Sequence, residues 1–178
     1  MPASAGFRRT WGWHRLTDEW AARIVAEAAV KPGELVLDIG AGEGALTAHL
    51  VRAGARVVAV ELHPGRAALL RRRFGEVTVV CADAASLRLP ARPFRVVASP
   101  PYGITATLLR RLLAPGIRLA AADLVLQRAV VRKYTGGRGP GTSNRARAFS
   151  VTAGLALPRS AFRPPPHVDS AVLVVRRR

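Results

Sequence analysis

Short blocks of nearly uninterrupted apolar residues recur along the chain, separated by segments whose apolar positions return every three or four residues. The blocks are Glu34–Asp38 (ELVLD), Arg56–Glu61 (RVVAVE), Val77–Cys81 (VTVVC), Phe94–Ala98 (FRVVA) and Ala122–Leu126 (ADLVL). A strand wet on one face alternates polar and apolar residues, so strands that barely alternate predict a sheet covered on both faces. The segments Ala45–Ala53, Pro64–Phe74, Ile104–Leu113 and Gln127–Tyr134 fit the covering helices, the second with Pro at its first turn. A helix ahead of them is predicted from Thr17 as N-cap, with Asp18 and Glu19 against the positive end of its dipole. Its apolar stripe of Trp20, Ile24 and Val25 runs to about Val30, where Lys31-Pro32-Gly33 breaks it.

Near the end, Phe149–Leu157 and Val168–Arg176 read as strands on either side of the proline-rich Pro158–Pro166. Two strands in direct succession predict an antiparallel hairpin at one sheet edge. The fold class is therefore α/β and Rossmann-like: a mostly parallel seven-stranded sheet with an antiparallel C-terminal hairpin and helices on both faces. Residues 1–13 read as a basic arm and 14–178 as a single domain. Residues 135–145 (TGGRGPGTSNR) lack any period and read as a mobile loop.

Composition adds one strong constraint. With 28 Lys and Arg against 11 Asp and Glu, the net charge is +17. Such an excess favours a polyanionic partner, because each neutralised phosphate releases condensed counterions. Nucleic acid is preferred over an acidic membrane surface, since no basic amphipathic helix or lipidation motif appears. No apolar stretch reaches membrane-spanning length and no secretory signal is readable, so a cytoplasmic protein is expected. The lone cysteine, Cys81, cannot form an internal disulfide; at the end of an apolar run it reads as a buried structural thiol. No metal site is expected.

Two motifs carry chemistry. Asp38-Ile39-Gly40-Ala41-Gly42-Glu43-Gly44 follows the first block and opens a helix. Its glycines allow a tight turn and close approach of a ligand to the backbone at Gly40 and Gly42. The same pattern also serves as a plain structural turn. Glu61, ending the next strand, can accept the hydroxyl protons of a ribose, and Asp83, after the third, can accept from an adenine amine. Each acid alone also fits a solvated strand end. G-x-G-x-G suits S-adenosylmethionine better than a dinucleotide, whose pyrophosphate needs the longer G-x-G-x-x-G turn.

Ser99-Pro100-Pro101-Tyr102 follows the fourth strand and so faces the same crevice. An exocyclic nucleobase amine is a poor nucleophile because its lone pair is delocalised into the ring. Acceptors for its protons, the Ser99 hydroxyl and the Pro100 carbonyl, favour tetrahedral nitrogen, and Tyr102 offers a stacking face. Ser99, Pro100 and Tyr102 are the expected catalytic residues. A simple Pro-Pro turn is the plainer reading.

These motifs, with Trp13–Asp18 and Phe162-Arg163-Pro164-Pro165-Pro166-His167-Val168-Asp169-Ser170, resemble the ribosomal RNA adenine N6-methyltransferases. That family includes the Erm resistance enzymes and the small-subunit dimethyladenosine transferases. The resemblance spans about residues 12–176 and implies a class I methyltransferase fold with S-adenosylmethionine as cofactor. It implies that His14 and Leu16 line the cofactor's methionine side, that Gly40 makes its backbone contact, and that Glu61 and Asp83 hold its ribose and adenine. It places Ser99 and Tyr102 on the target base, with Phe162 on the base's other face. On its own chemistry Phe162 reads equally as a core residue. The partner implied is ribosomal RNA, 23S favoured, methylated at adenine N6 by a monomeric enzyme to protect against macrolide, lincosamide and streptogramin B antibiotics.

Two departures bear on this. The family has Asn where this chain has Ser99, and S-P-P-Y is also similar to the tetrapeptide of cytosine-N4 methyltransferases. The chain further resembles the short actinobacterial Erm type without a C-terminal helical domain. RNA gripping is then expected from the arm, the 138–147 loop and the Arg176–Arg178 end. A small-subunit dimethyltransferase and a non-catalytic RNA-binding factor of the same fold remain the alternatives.

Overall fold

The computed structural model describes residues 14–138 and 148–178, so the basic arm and most of the glycine-rich loop lie outside the described residues. A short strand β1 (Arg15–Leu16) leads into helix α1 (Asp18–Ala28). Then follow β2 (Leu35–Ile39), α2 (Ala45–Arg52), β3 (Arg56–Glu61), α3 (Pro64–Arg73), β4 (Thr78–Cys81), β5 (Phe94–Ala98), α4 (Thr105–Leu112), β6 (Leu119–Gln127) and α5 (Arg128–Thr135). The chain closes with β7 (Phe149–Leu157), β8 (Phe162–Arg163) and β9 (Ser170–Arg177). Thr17 is the N-cap of α1 with an extended backbone, although its hydroxyl makes no capping hydrogen bond. Ala21, Ile24, Val25 and Ala28 are the buried stripe of α1, the helical spacing that the sequence displays.

The expected seven-stranded sheet forms in the order β4-β3-β2-β5-β6-β9-β7. Pairs β3–β4, β2–β3, β2–β5 and β5–β6 are parallel, and β9 runs antiparallel to both β6 and β7. Alternate residues of each central strand serve opposite faces. Leu37, Ile39, Val96, Ala98, Leu124 and Leu126 pack with the leucines of α4. Val36, Val97 and Val125 pack with α1, α2 and Leu70 of α3. Helices therefore cover both faces, which is why these strands show so little alternation.

One detail completes the sequence reading and two depart from it. First, the expected antiparallel hairpin forms at one sheet edge, in a strand order the sequence left open. Its second strand, β9, inserts between β6 and β7, leaving β7 at the edge. Ala171, Val172, Leu173 and Val175 of β9 are buried, whereas the middle of β7 is exposed, so the more apolar strand takes the inner place. Second, the proline-rich connection contains β8, which pairs antiparallel with β1 through Arg15↔Arg163 and Leu16↔Phe162. Third, Cys81 is exposed rather than buried, because β4 is the outer strand at the opposite edge. Its Sγ lies 3.6 Å from the Leu62 carbonyl oxygen.

The arginine-rich end is held by specific partners within the fold. The Arg176 guanidinium donates to both carboxylate oxygens of Asp123 at 2.9 and 3.0 Å. Asp123 is buried, and Arg95 approaches it to 3.6 Å while also donating to Glu34 at 3.0 Å. Arg177 donates to the Ile117 and Leu119 carbonyls, each at 2.7 Å, and lies over the Phe149 ring. These two arginines tie the end of β9 to β6 and to the segment before it. A buried charge is tolerated only when paired in this manner.

Candidate active site

The strand order turns back at β2, whose neighbours are β3 on one side and β5 on the other. In open α/β sheets the crevice beyond the carboxyl ends of strands at such a switch point is where ligands sit. Here it holds a cavity of about 550 Å3. Of the residues singled out in the sequence, His14, Gly40, Glu61, Asp83, Ser99, Pro100, Tyr102 and Phe162 line it. Leu16 and Gly42 do not. Leu16 borders an adjoining narrow crevice together with Asp38, Glu43 and Ser99, and Gly42 is buried and lines neither.

On the β2–β3 side the glycine turn and Glu61 form one unit. The Gly42 amide donates to Glu61 Oε2 at 2.7 Å and the His63 amide donates to Oε1 at 2.9 Å. Gly42 thus acts through Glu61: it fixes a carboxylate that is only 6% exposed. The Gly40 and Ala41 amides are both satisfied by the Val60 carbonyl, locking the turn to the end of β3. Asp83 stands exposed on the same wall, with Oδ1 accepting from the Ala85 amide at 2.9 Å. Arg66, which sequence reasoning missed, also lines the cavity, with Nη1 3.7 Å from Glu61 Oε1. Its only advance signal was its place in the first turn after β3.

Asp38 ends up beneath this unit, fully buried, with Oδ2 accepting from the Thr47 hydroxyl at 2.7 Å. Burial pushes its carboxyl up to about 7; the Thr47 bond opposes this and the nearby Glu61 charge adds to it. The unfolded chain releases this proton near the ordinary carboxylate value, whereas the folded chain keeps it until about pH 7. Stability therefore falls as pH rises between roughly 4 and 7 and levels off above that. Asp38→Asn keeps an acceptor for Thr47 and removes the titration. Its melting temperature is expected to gain on the parent by roughly 5 °C between pH 5 and pH 8. Melting curves across that range check it; a gap that does not change with pH contradicts it.

On the β5 side, Ala98 passes directly into Ser99 and the two prolines, and Tyr102 begins a single 3-10 turn. Pro100 is buried and Ser99 half-buried, touching both the main cavity and the narrow crevice. The Tyr102 hydroxyl is 2.7 Å from Ser170 Oγ. Burial pushes the phenol above its ordinary value, and the Ser170 bond pulls partly against that. Gly40 joins the two motifs: it has φ +76°, and a Cβ there would lie 2.9 Å from Pro101 Cδ and 3.3 Å from Pro100 Cα. The glycine that the first motif supplies is thus required by the second.

His14 and Phe162 close the far side, held by the β1–β8 pair. The His14 ring stands 6.0 Å from Tyr102 at 29° and 6.5 Å from Phe162 at 80°, and its Nδ1 is 2.8 Å from the Pro164 carbonyl oxygen. Phe162 is buried in the α1 and α2 core and also reaches the cavity wall. The cavity lies within the roughly 300–1,000 Å3 common for small-molecule sites. A buried carboxylate with spare lone pairs beside Val60, Leu62, Ala82 and Ala84 fits a nucleoside, with the diol on the acid and the base along the apolar wall.

Comparison with known proteins places the chain among relatives of known kind. The chain is 40% identical to ribosomal RNA small subunit methyltransferase A of Thermosynechococcus vestitus, over 95% of this chain and 69% of that protein. It is 35% identical to the mycinamicin-resistance protein MyrB of Micromonospora griseorubida, over 98% of this chain and 57% of that protein. Among solved structures, the 23S rRNA methyltransferase ErmE superposes with a TM-score of 0.83 at 35% identity, covering 92% of this chain and 69% of that one. A dimethyladenosine transferase from Plasmodium falciparum gives 0.80 at 25%, covering 93% and 64%. The chain thus spans between 57% and 69% of the length of these relatives. The sequence profile of the ribosomal RNA adenine dimethylases matches residues 5–178, and the chain belongs to that family.

Proposed function

We propose that the chain transfers a methyl group from S-adenosylmethionine to N6 of an adenine in ribosomal RNA, that this RNA is 23S, and that the mark protects cytoplasmic ribosomes from macrolide, lincosamide and streptogramin B antibiotics. One observation carries the chemistry: Glu61 and Asp83 on one wall and Ser99–Tyr102 on the other border a single cavity. When bound, S-adenosylmethionine supplies an electrophilic methyl on a sulfonium sulfur. Glu61 holds the ribose and Asp83 the adenine. Gly40 allows close approach at the turn, while His14 and Leu16 border the methionine side.

The target adenine stacks on Tyr102, with Phe162 behind it. Ser99 Oγ and the Pro100 carbonyl accept the N6 protons and turn the nitrogen lone pair out of the ring plane. As the N6–carbon bond forms, the methyl's sulfur–carbon bond breaks and leaves the neutral thioether. The surplus N6 proton, held by Ser99 Oγ or the Pro100 carbonyl, passes to water, so positioning rather than a strong base does the work. The prolines hold both acceptors in place before the base arrives.

The choice of 23S is supported by the superposition on ErmE at 35% identity, against 25% for the dimethyladenosine transferase. The relative at 40% identity, a small subunit methyltransferase, favours 16S RNA as the second reading. Parallel incubations of the protein with tritiated S-adenosylmethionine and protein-free 23S or 16S RNA separate them. Label in 23S at least about tenfold above 16S is the expected result; the reverse ratio establishes the small-subunit reading instead.

A further inference from the structure

We propose that Ser170 is a positioning residue of this site, setting the plane of the Tyr102 ring through the hydrogen bond between the two hydroxyls. The inference rests on reading Tyr102 as the platform for the target base. Ser170 opens β9 and pairs in register with Gln127 of β6 and Leu157 of β7. That register delivers its hydroxyl to the carboxyl end of β6, beside the crevice. Ser170 is 1% exposed, so its hydroxyl must find a protein partner, and Tyr102 at 2.7 Å is that partner.

Tyr102 needs such an anchor. It stands in a short turn closed through the backbone alone, by Ile104 N–H to the Pro101 carbonyl at 3.2 Å and by Thr105 N–H to the Tyr102 carbonyl, neither of which touches the ring. A ring fixed only at Cα can swing about its side-chain torsions; a second fixed point at the phenol oxygen removes that freedom. With the oxygen committed to Ser170, Tyr102 presents its ring face to a substrate, and His14 braces the same ring at 6.0 Å. Both restraints lead into one stretch of chain, because His14 bonds Pro164 and Tyr102 bonds Ser170. The proline-rich segment 164–170 is therefore a strut for the base platform as well as a connection between strands.

The test compares the parent with Ser170→Ala, Tyr102→Phe and the double variant. Each single change is expected to lower kcat/KM for RNA about tenfold, the usual size for one lost intramolecular hydrogen bond, with the S-adenosylmethionine Kd unchanged within twofold. The double variant is expected to be no worse than either single one. Ser170→Ala within twofold of the parent, or losses that multiply in the double variant, overturns the proposal. Tyr102→Phe removes the same bond from the less buried side, so a folding defect confined to Ser170→Ala leaves the test intact. A second readout needs no activity. The chain has 2 Tyr, so 3-fluorotyrosine labelling gives two 19F resonances. Ser170→Ala is expected to shift that of Tyr102 and leave that of Tyr134 in place; an unmoved Tyr102 resonance overturns the contact. A parent that methylates no RNA refutes the proposed function, an outcome distinct from an active parent indifferent to Ser170→Ala.

Discussion

Glu61→Gln is expected to weaken S-adenosylmethionine binding by about a hundredfold while leaving the protein folded. The substitution is nearly isosteric, so the effect comes from hydrogen-bond polarity. Both carboxylate oxygens already accept backbone N–H groups, from Gly42 at 2.7 Å and His63 at 2.9 Å. A glutamine offers one oxygen and one NH2 group, so whichever way it is turned a donor faces a donor. Either the glycine turn or the start of α3 must move, and both border the cavity. The variant also lacks the negative charge that strengthens hydrogen bonds from a ribose diol. Calorimetric titration with S-adenosylmethionine checks this. A Kd within threefold of the parent would remove Glu61 from the cofactor site.

Gly40→Ala is the second large effect, and it strikes both halves of the site. At φ +76° an L-residue is already strained by about 1–2 kcal/mol. Its methyl group would stand 2.9 Å from Pro101 Cδ and 3.3 Å from Pro100 Cα, and a proline ring packed after a buried strand has little room to yield. The Ser99–Tyr102 turn is expected to shift by a few tenths of an ångström, away from the turn that meets the cofactor. We expect the melting temperature to fall by about 5–10 °C and kcat to fall by more than tenfold, because small misplacements of reacting groups are costly. A variant with a lower melting temperature and undiminished kcat would show that the two motifs are not mechanically joined.

The parallel strands and their helices were readable because each is long enough for its period to appear. The hairpin was readable as two antiparallel strands at a sheet edge but not in the order of those strands, since β7 and β9 compete for the inner position through burial that only the assembled sheet defines. Cys81 was misread for a related reason. The run VTVVC looks the same whether its strand is central or outermost, and β4 is outermost. The two-residue strands β1 and β8 carry no period at all, yet they place His14 and Phe162 at the cavity. Motif spacing located Gly40, Glu61, Asp83 and Ser99–Tyr102 because each follows a strand's carboxyl end. It could not reveal that Gly42 serves Glu61, that Gly40 is required by Pro101, or that Ser170 holds Tyr102. Those are contacts between residues distant in sequence, made by the fold. Charge counting likewise could not reveal that Arg176 and Arg177 are tied to Asp123 and to backbone carbonyls.

Ser99 leaves the chemistry of the target base as the point to measure. A hydroxyl stands where the family has an amide, and S-P-P-Y also resembles the tetrapeptide of cytosine-N4 enzymes, while the matching family profile is that of the ribosomal RNA adenine dimethylases. The direct measurement is the identity of the product nucleoside. Ribosomal RNA incubated with the protein and tritiated S-adenosylmethionine is digested to nucleosides and separated by chromatography. The account predicts label in N6-methylated adenosine; label in N4-methylcytidine, or none in any nucleoside, would contradict it.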